Sequence, residues 1–187
     1  MPMILWFRHL PQKSMDLSEW TPFIQNYWYR KHYMKFVYLL QIIILSIPYF
    51  FNLGFTDIKI FLLIIIGFLV FIIHECLHLL VINKKGDISV TFTGIFFWIN
   101  TNAILSKVRF WVFMSLPFFV LSVVPVILSF YVLGNIKLIL IYIGWFNTLI
   151  SSSDIINSFL ISIKPKNTVF CRGYYQKNNN DRQIKFV

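Results

Sequence analysis

The stretch at residues 60–83, IFLLIIIGFLVFIIHECLHLLVIN, decides the fold of this chain. It carries no charged side chain from Ile60 to Ile73, and His74, Glu75 and His78 follow in its second half. A helix needs about 20 mainly apolar residues to cross a hydrocarbon core of about 30 Å. The stretch reaches that length only if its ionisable residues are included. We therefore predict a membrane-spanning helix that carries ionisable groups at depth.

Three more stretches have the same apolar character. Residues 36–56 and 110–136 contain no charged side chain, and residues 138–163 contain only Asp154. Over the whole chain 58% of the residues are apolar and 13% are charged, against a charged share of about 25% in soluble domains. We predict an all-α integral membrane domain at residues 36–163, with four transmembrane helices at about 36–56, 58–83, 108–134 and 137–163.

The pattern changes between spans two and three, where we predict a small β-hairpin at about residues 87–102. Apolar residues alternate with Ser and Thr from Ile88 to Thr93, and β-prone residues follow Gly94. Such alternation is typical of paired strands with one buried face. An open strand edge cannot face lipid. We therefore expect the hairpin at the membrane surface or in a cavity, where its free edge can accept an extended peptide.

Positive charges cluster on one predicted side of the membrane. The net charge is +10, and Lys and Arg concentrate before span one, between spans two and three, and after span four. By the positive-inside rule, both termini of this multi-pass protein are expected in the cytoplasm. Basic loops facing anionic lipid account for the charge, so we expect no nucleic acid as a partner.

Two segments flank the predicted spans. Residues 1–35 interleave Trp and Tyr with Arg and Lys, a composition that favours an interfacial amphipathic segment. Within it, Thr21 and Pro22 predict a helix start, with threonine as the cap and proline in the first turn. Residues 164–187 are predicted to form a basic cytoplasmic tail.

His74, Glu75 and His78 form the pattern HExxH. Two histidines four residues apart lie on one helix face, so both imidazoles can bind one zinc ion. Glu75 then lies beside the open coordination position, where its carboxylate can accept a proton from water as the catalytic base. Each ionisable group in lipid costs at least about 2.5 kcal/mol, and a bound cation offsets that cost. A metal-free polar packing cluster is the alternative.

The third zinc ligand is predicted by elimination, because zinc hydrolases use three protein ligands and leave one position open. Of the seven carboxylates, only Glu75 and Asp154 lie within predicted spans. His74 precedes Lys84 by ten residues, and Asp154 precedes Lys164 by ten. At about 1.5 Å per residue, both lie roughly 15 Å from the cytoplasmic boundary. The alternative for Asp154 is a buried aspartate that caps a broken helix.

Span four becomes polar just before Asp154. Asn147, Thr148 and three serines at positions 151–153 precede the carboxylate. We interpret them as a locally opened helix that lines a wet cavity, in which Asn147 binds the substrate backbone. Hydroxyl groups that bond back to helix carbonyls, or join helices, explain any single serine equally well.

These residues resemble those of a known family. HExxH in one span, followed by Asn147 and Asp154 in a later one, is similar to the site-2 protease-like intramembrane zinc metalloproteases, and among them to the short bacterial zincin peptidases. The resemblance covers about residues 60–163. It implies hydrolysis of peptide bonds in or near the membrane, Asp154 as third zinc ligand, and a substrate strand laid against the hairpin. Ser153-Asp154-Ile155 departs from the larger family, which has Leu-Asp-Gly and nearby prolines there.

The function predicted from the sequence is therefore that of an intramembrane zinc metalloprotease of the bacterial cell membrane. Its predicted partners are a membrane protein or peptide substrate and the lipid bilayer. Two alternatives stay open: a membrane zinc hydrolase acting on a lipid-linked substrate, and a non-catalytic zinc-binding membrane protein. The ionisable groups cluster at one depth, which argues against a metal transport path.

Overall fold

The computed structural model describes residues 4–6, 19–82, 87–93 and 96–177. The chain divides into two compact units. The helical unit consists of His32–Leu80 and Trp111–Ser162. The sheet unit consists of Met1–Lys31, Val81–Phe110 and Ile163–Val187 and contains the strands.

Helices make up most of the described chain. They are α1 (Tyr27–Phe50), α2 (Ile60–Ile82), α3 (Lys107–Phe118), α4 (Val124–Ser129), α5 (Gly134–Ile150) and α6 (Ser152–Ser162). A short 3-10 turn at Phe55–Asp57 precedes α2, and a π-helical turn at Phe119–Val123 joins α3 to α4. In the π turn the amide of Val124 donates to the carbonyl of Phe119, one residue further back than in an α-helix. Pro125 follows and has no amide hydrogen, so the regular ladder cannot run through it.

Three helical runs are long and apolar enough to cross a membrane: α1, α2 and the continuous run Lys107–Ser129. Helices α5 and α6 pass the same test as a pair, although they are bent by 64°. The predicted four spans therefore correspond to three continuous candidates and one bent pair, while insertion into a bilayer stays a prediction. Large apolar side chains such as Phe61, Ile64 and Phe68 are exposed along α2. Exposed apolar surface of this extent is compatible with a membrane protein.

The predicted helix start at Thr21 and Pro22 is wrong. These two residues form a short strand, and α1 begins at Tyr27. Its cap is Asn26, whose side-chain oxygen accepts the amide hydrogen of Tyr29 at 3.0 Å. Asparagine caps a helix at least as well as threonine, and pairing with another strand holds Thr21 in extended geometry.

Close packing of α2, α4 and α5 forms the core of the helical unit. Tyr142 packs with Ile58 and Leu63, and its hydroxyl donates to the carbonyl of Leu63 at 3.0 Å. A Cβ placed on Gly144 would lie 2.6 Å from Cγ2 of Val126 and 3.0 Å from the carbonyl oxygen of Ser122. Only glycine therefore allows α5 to approach this closely.

The predicted hairpin between spans two and three is present in the sheet unit. Strand β3 (Ile88–Thr93) pairs antiparallel with β4 (Phe96–Thr101). The prediction missed a third strand, β1 (Ile4–Trp6), which pairs parallel with β3. The strand order is β1-β3-β4. Because β3 is central, β4 has only one neighbouring strand within the described residues.

A second, four-stranded sheet was not predicted. It has the order β2-β7-β6-β5 and consists of β2 (Thr21–Pro22), β5 (Leu105–Ser106), β6 (Thr168–Cys171) and β7 (Tyr174–Lys177). Arg172 and Gly173 connect β6 to β7 with φ values of 47° and 77°, as in a type I′ turn. The region predicted to be a basic tail thus contains two strands. Residues 178–187, like 1–3 and 7–18 of the predicted interfacial segment, lie outside the described residues.

Candidate metal centre

His74 and His78 lie one turn apart on α2, in the helical unit. Residues at this spacing share one helix face, and both side chains are buried, with 3% and 5% of their surface exposed. Their rings meet edge to face, with centroids 4.8 Å apart. Local helix geometry alone therefore brings the two imidazoles together, as predicted.

Asp154 comes from the broken span. Helix α5 ends at Ile150, and α6 starts at Ser152, which places Asp154 in the first turn of α6. Serine side chains compete for backbone hydrogen bonds, so three in a row weaken a helix. A carboxylate in a first helical turn is also stabilised by the positive end of the helix dipole. The local opening expected before Asp154 is present as this break.

Three side-chain atoms converge to form the candidate site. Nε2 of His74 lies 3.1 Å from Nε2 of His78, and Oδ2 of Asp154 lies 3.2 Å and 3.3 Å from these two nitrogens. Zinc bonds of about 2.0–2.1 Å in a tetrahedron place neighbouring ligand atoms about 3.3–3.4 Å apart. The triangle is close to one face of that tetrahedron. The three residues therefore form a group that fits zinc.

In each histidine ring Nδ1 has a partner outside the site, which leaves Nε2 to face the metal. Nδ1 of His78 lies 2.7 Å from the carbonyl oxygen of Phe113, which can only accept, so Nδ1 carries the hydrogen. Nδ1 of His74 lies 2.9 Å from Oδ1 of Asn147. The Asn147 amide nitrogen donates to the carbonyl of Pro117 at 3.0 Å, which identifies Oδ1 as the acceptor. In neutral rings both Nε2 atoms then present lone pairs.

Three lone-pair atoms therefore face one another in a buried site. Two neutral imidazole nitrogens and a carboxylate oxygen cannot donate to each other. A buried polar group without a partner costs free energy, and a cation at the centre of the triangle removes that cost. This chemistry of the donor set favours the metal interpretation over the metal-free packing cluster.

Polar groups from α1 stabilise the break in span four. The hydroxyl of Tyr33 lies 3.2 Å from the carbonyl oxygen of Ser153 and 3.0 Å from Oδ1 of Asn157. The amide of Gln41 donates to the carbonyl of Leu149 at 3.4 Å. The last carbonyls of a helix have no intrahelical partner, and Gln41 donates to one of these, that of Leu149 in the last turn of α5. From the sequence, Gln41 is the polar exception in span one and is expected to serve packing, whereas the contacts of Tyr33 had no sequence signal.

Glu75 lies on the same turn of α2 as the two histidines. It is less buried than the three candidate ligands and interacts electrostatically with His74, His78 and Asp154. It is thus in the region of the centre but outside the ligand triangle. Its catalytic role stays a prediction.

Asn147 is fully buried, with 0% of its surface exposed. Besides the contact with His74, its amide nitrogen lies 2.8 Å from Oγ of Ser122 and 3.3 Å from Oγ of Ser151. The contact with His74 was not predictable from the sequence. The prediction that Asn147 binds the substrate backbone stays a prediction.

Comparison with known families matches residues 67–169 to a family described as "putative zincin peptidase". The match covers more than half of the 187 residues and includes the HExxH motif, Asn147 and Asp154. No curated protein and no solved structure matches the chain. The family implies zinc as the cofactor and zinc metallopeptidase activity, in agreement with the ligand triangle. On the match and the geometry together, the chain belongs to the putative zincin peptidase family.

Proposed function

We propose that this protein is an intramembrane zinc metallopeptidase similar to the site-2 proteases, which hydrolyses peptide bonds of membrane-embedded or membrane-proximal substrates. The observation that carries the proposal is the triangle of His74 Nε2, His78 Nε2 and Asp154 Oδ2, in which both histidines use Nδ1 for other partners. Three protein ligands and one open position are typical of catalytic zinc, whereas structural zinc has four protein ligands.

Glu75 is the proposed catalytic base. When bound, zinc acidifies a water molecule and polarises the carbonyl of the scissile peptide bond. The Glu75 carboxylate accepts the proton of the attacking water and later donates it to the nitrogen of the leaving amine. His74, His78 and Asp154 would hold the zinc, and all three belong to the helical unit.

The location within the bilayer is supported by the helix that carries the motif. Helix α2 has a mean hydropathy of 2.8 over its most apolar window. Ile72 and Ile73 are exposed beside the buried His74, as expected for a helix with one face in lipid and another toward the bundle interior. With the charge distribution, this supports a multi-pass membrane protein with both termini in the cytoplasm. The assignment to the bacterial cell membrane rests on the family resemblance alone.

The substrate is proposed to bind in extended form, because a helical peptide bond is shielded by its own turn. Strand β4 has one described neighbour in its sheet, and an edge strand can pair with an extended peptide. This supports strand addition as the mode of substrate binding.

The test uses the full chain purified in detergent, with zinc content and cleavage of transmembrane peptides as the readouts. Glu75→Gln should keep bound zinc and lose activity by a factor of about 10²–10⁴, the usual contribution of a general base. Cys76→Ala is the matched control, since Cys76 is the next residue on the helix and is exposed. Full activity in Glu75→Gln would remove Glu75 from its role.

The same assay separates the alternatives. A zinc-loaded wild type that cleaves lipid-linked substrates but no peptide would be a different membrane hydrolase. A zinc-loaded wild type without activity on either class would support the non-catalytic zinc-binding protein. Either result would overturn the peptidase proposal.

A further inference from the structure

We propose that Asn147 is a positioning residue for the metal centre. Its side-chain oxygen holds His74 in the tautomer and ring orientation that direct Nε2 at zinc. The inference rests on the metal centre alone. It would survive the loss of the proposed peptidase activity, because its test measures metal binding.

The two histidines are oriented by different kinds of group. His78 is oriented by a main-chain carbonyl, that of Phe113, whose position is set by helix α3. His74 is oriented by a side chain, Oδ1 of Asn147, at 2.9 Å. Metal-binding histidines regularly donate their second ring N–H to such an acceptor, which fixes the tautomer. Of the two orienting groups, only the one on Asn147 can be removed by substitution.

Asn147 is itself anchored through its amide nitrogen. Its amide nitrogen donates to the carbonyl of Pro117 at 3.0 Å and lies 2.8 Å from Oγ of Ser122, both in the run Lys107–Ser129. It also lies 3.3 Å from Oγ of Ser151, at the break of span four. These contacts fix the plane of the amide, so that Oδ1 can point only toward His74.

The two ends of the Asn147 amide have different roles. The nitrogen end joins helices, and the oxygen end orients a ligand. A purely structural role depends on the nitrogen, whereas the positioning role depends on the oxygen. Aspartate at this position would keep the acceptor for His74 and lose the donor for Pro117. Leucine, which has a similar shape, would lose both.

The experiment measures zinc affinity by chelator competition on the full chain in detergent. Asn147→Leu should weaken zinc binding by about 10–100-fold, the usual effect of losing a group that orients a metal ligand. Asn147→Asp should recover most of this loss. Equal weakening of zinc binding by both substitutions would show a purely structural role of Asn147. Wild-type zinc affinity in Asn147→Leu would show that Asn147 has no role in zinc binding. Either outcome overturns the proposal.

Two controls address indirect effects. Ser122→Ala removes one partner of the amide nitrogen but leaves its donation to the carbonyl of Pro117, which still orients the amide toward His74. This variant should therefore lower the thermal transition and keep zinc affinity. Asn157 lies in the other half of the broken span, where its described partners are Tyr33 and Met114. Asn157→Leu should likewise keep zinc affinity. A substrate-binding role for Asn147 instead predicts a raised KM in Asn147→Leu at unchanged zinc affinity.

A second measurement needs no variant and applies even if the substitutions prevent folding. The wild-type chain is labelled with ¹⁵N-histidine and loaded with ¹¹³Cd in place of zinc. The His74 ring should show a hydrogen on Nδ1 and cadmium coupling through Nε2. Coupling through Nδ1 of His74 would overturn the proposal.

Discussion

At the scale of single residues, each histidine of the candidate centre uses one ring nitrogen to hold its position and leaves the other for the metal. His78 donates to a main-chain carbonyl and His74 to an amide oxygen. Asp154 contributes the third atom from another part of the chain. The site therefore has two neutral ligand atoms from α2 and one anionic ligand atom from α6, a combination well suited to zinc.

Replacing the anionic ligand should abolish stable zinc binding. Asp154→Asn keeps the size of the side chain but removes its charge, so zinc affinity should fall by more than the roughly 10–100-fold expected for an orienting group. Zinc per protein after dialysis is the measurement. Asp57→Asn, in the exposed 3-10 turn, is the matched control and should retain zinc. Stoichiometric zinc in Asp154→Asn would exclude Asp154 as a ligand.

Two kinds of site residue could be predicted from the sequence. They are residues that share one helix face, and the carboxylate that remained after the others were eliminated. His74 and His78 share a helix face, and Asp154 was the remaining carboxylate within a span. The orienting contacts could not be predicted in this way. Phe113 acts through its main chain, which carries no sequence signal, and the pairing of Asn147 with His74 depends on how two helices pack.

At the scale of elements, two helices approach each other closely at Gly144. A Cβ there would meet Val126 and the main chain of Ser122, both in the run that contains the π-helical turn. Asn147 lies almost one turn further along the same helix and contacts the same run through Ser122. The close approach of α5 thus helps to place Asn147.

Substitution of Gly144 by alanine should destabilise the protein. The added methyl group must displace a stiff β-branched side chain and a carbonyl, and overpacking of this kind costs about 1–3 kcal/mol in the free energy of unfolding. Thermal or denaturant unfolding in detergent is the measurement. The double variant Gly144→Ala, Val126→Ala should regain part of the loss. Unchanged stability in Gly144→Ala would contradict the packing described here.

Strands were predictable only where a regular pattern was long enough. The alternation over Ile88–Thr93 predicted the β3–β4 hairpin almost to its ends. The second sheet contains strands of two to four residues, and Thr21 pairs with Tyr175 across most of the chain. Strands this short show no alternation of apolar and polar residues. All four residues of β6 are buried, so this strand also lacks the alternation of a half-exposed strand.

At the scale of the whole molecule, zinc should stabilise the folded chain. The site is completed only by folding, since its ligands come from α2 and α6. A ligand that binds only the folded state raises the free energy of unfolding by about 2.7 kcal/mol at a free concentration 100 times its Kd. The thermal transition should therefore fall after chelation and recover with added zinc. An unchanged transition would show that folding and zinc binding are independent.

The central claim is that His74, His78 and Asp154 bind one zinc ion together. An anomalous difference map at the zinc edge, from crystals of the zinc-loaded chain, tests it most directly. We predict a single peak about 2.0–2.2 Å from Nε2 of His74, Nε2 of His78 and a carboxylate oxygen of Asp154. A zinc peak elsewhere, or one bound by the histidines with Asp154 out of reach, would contradict the account.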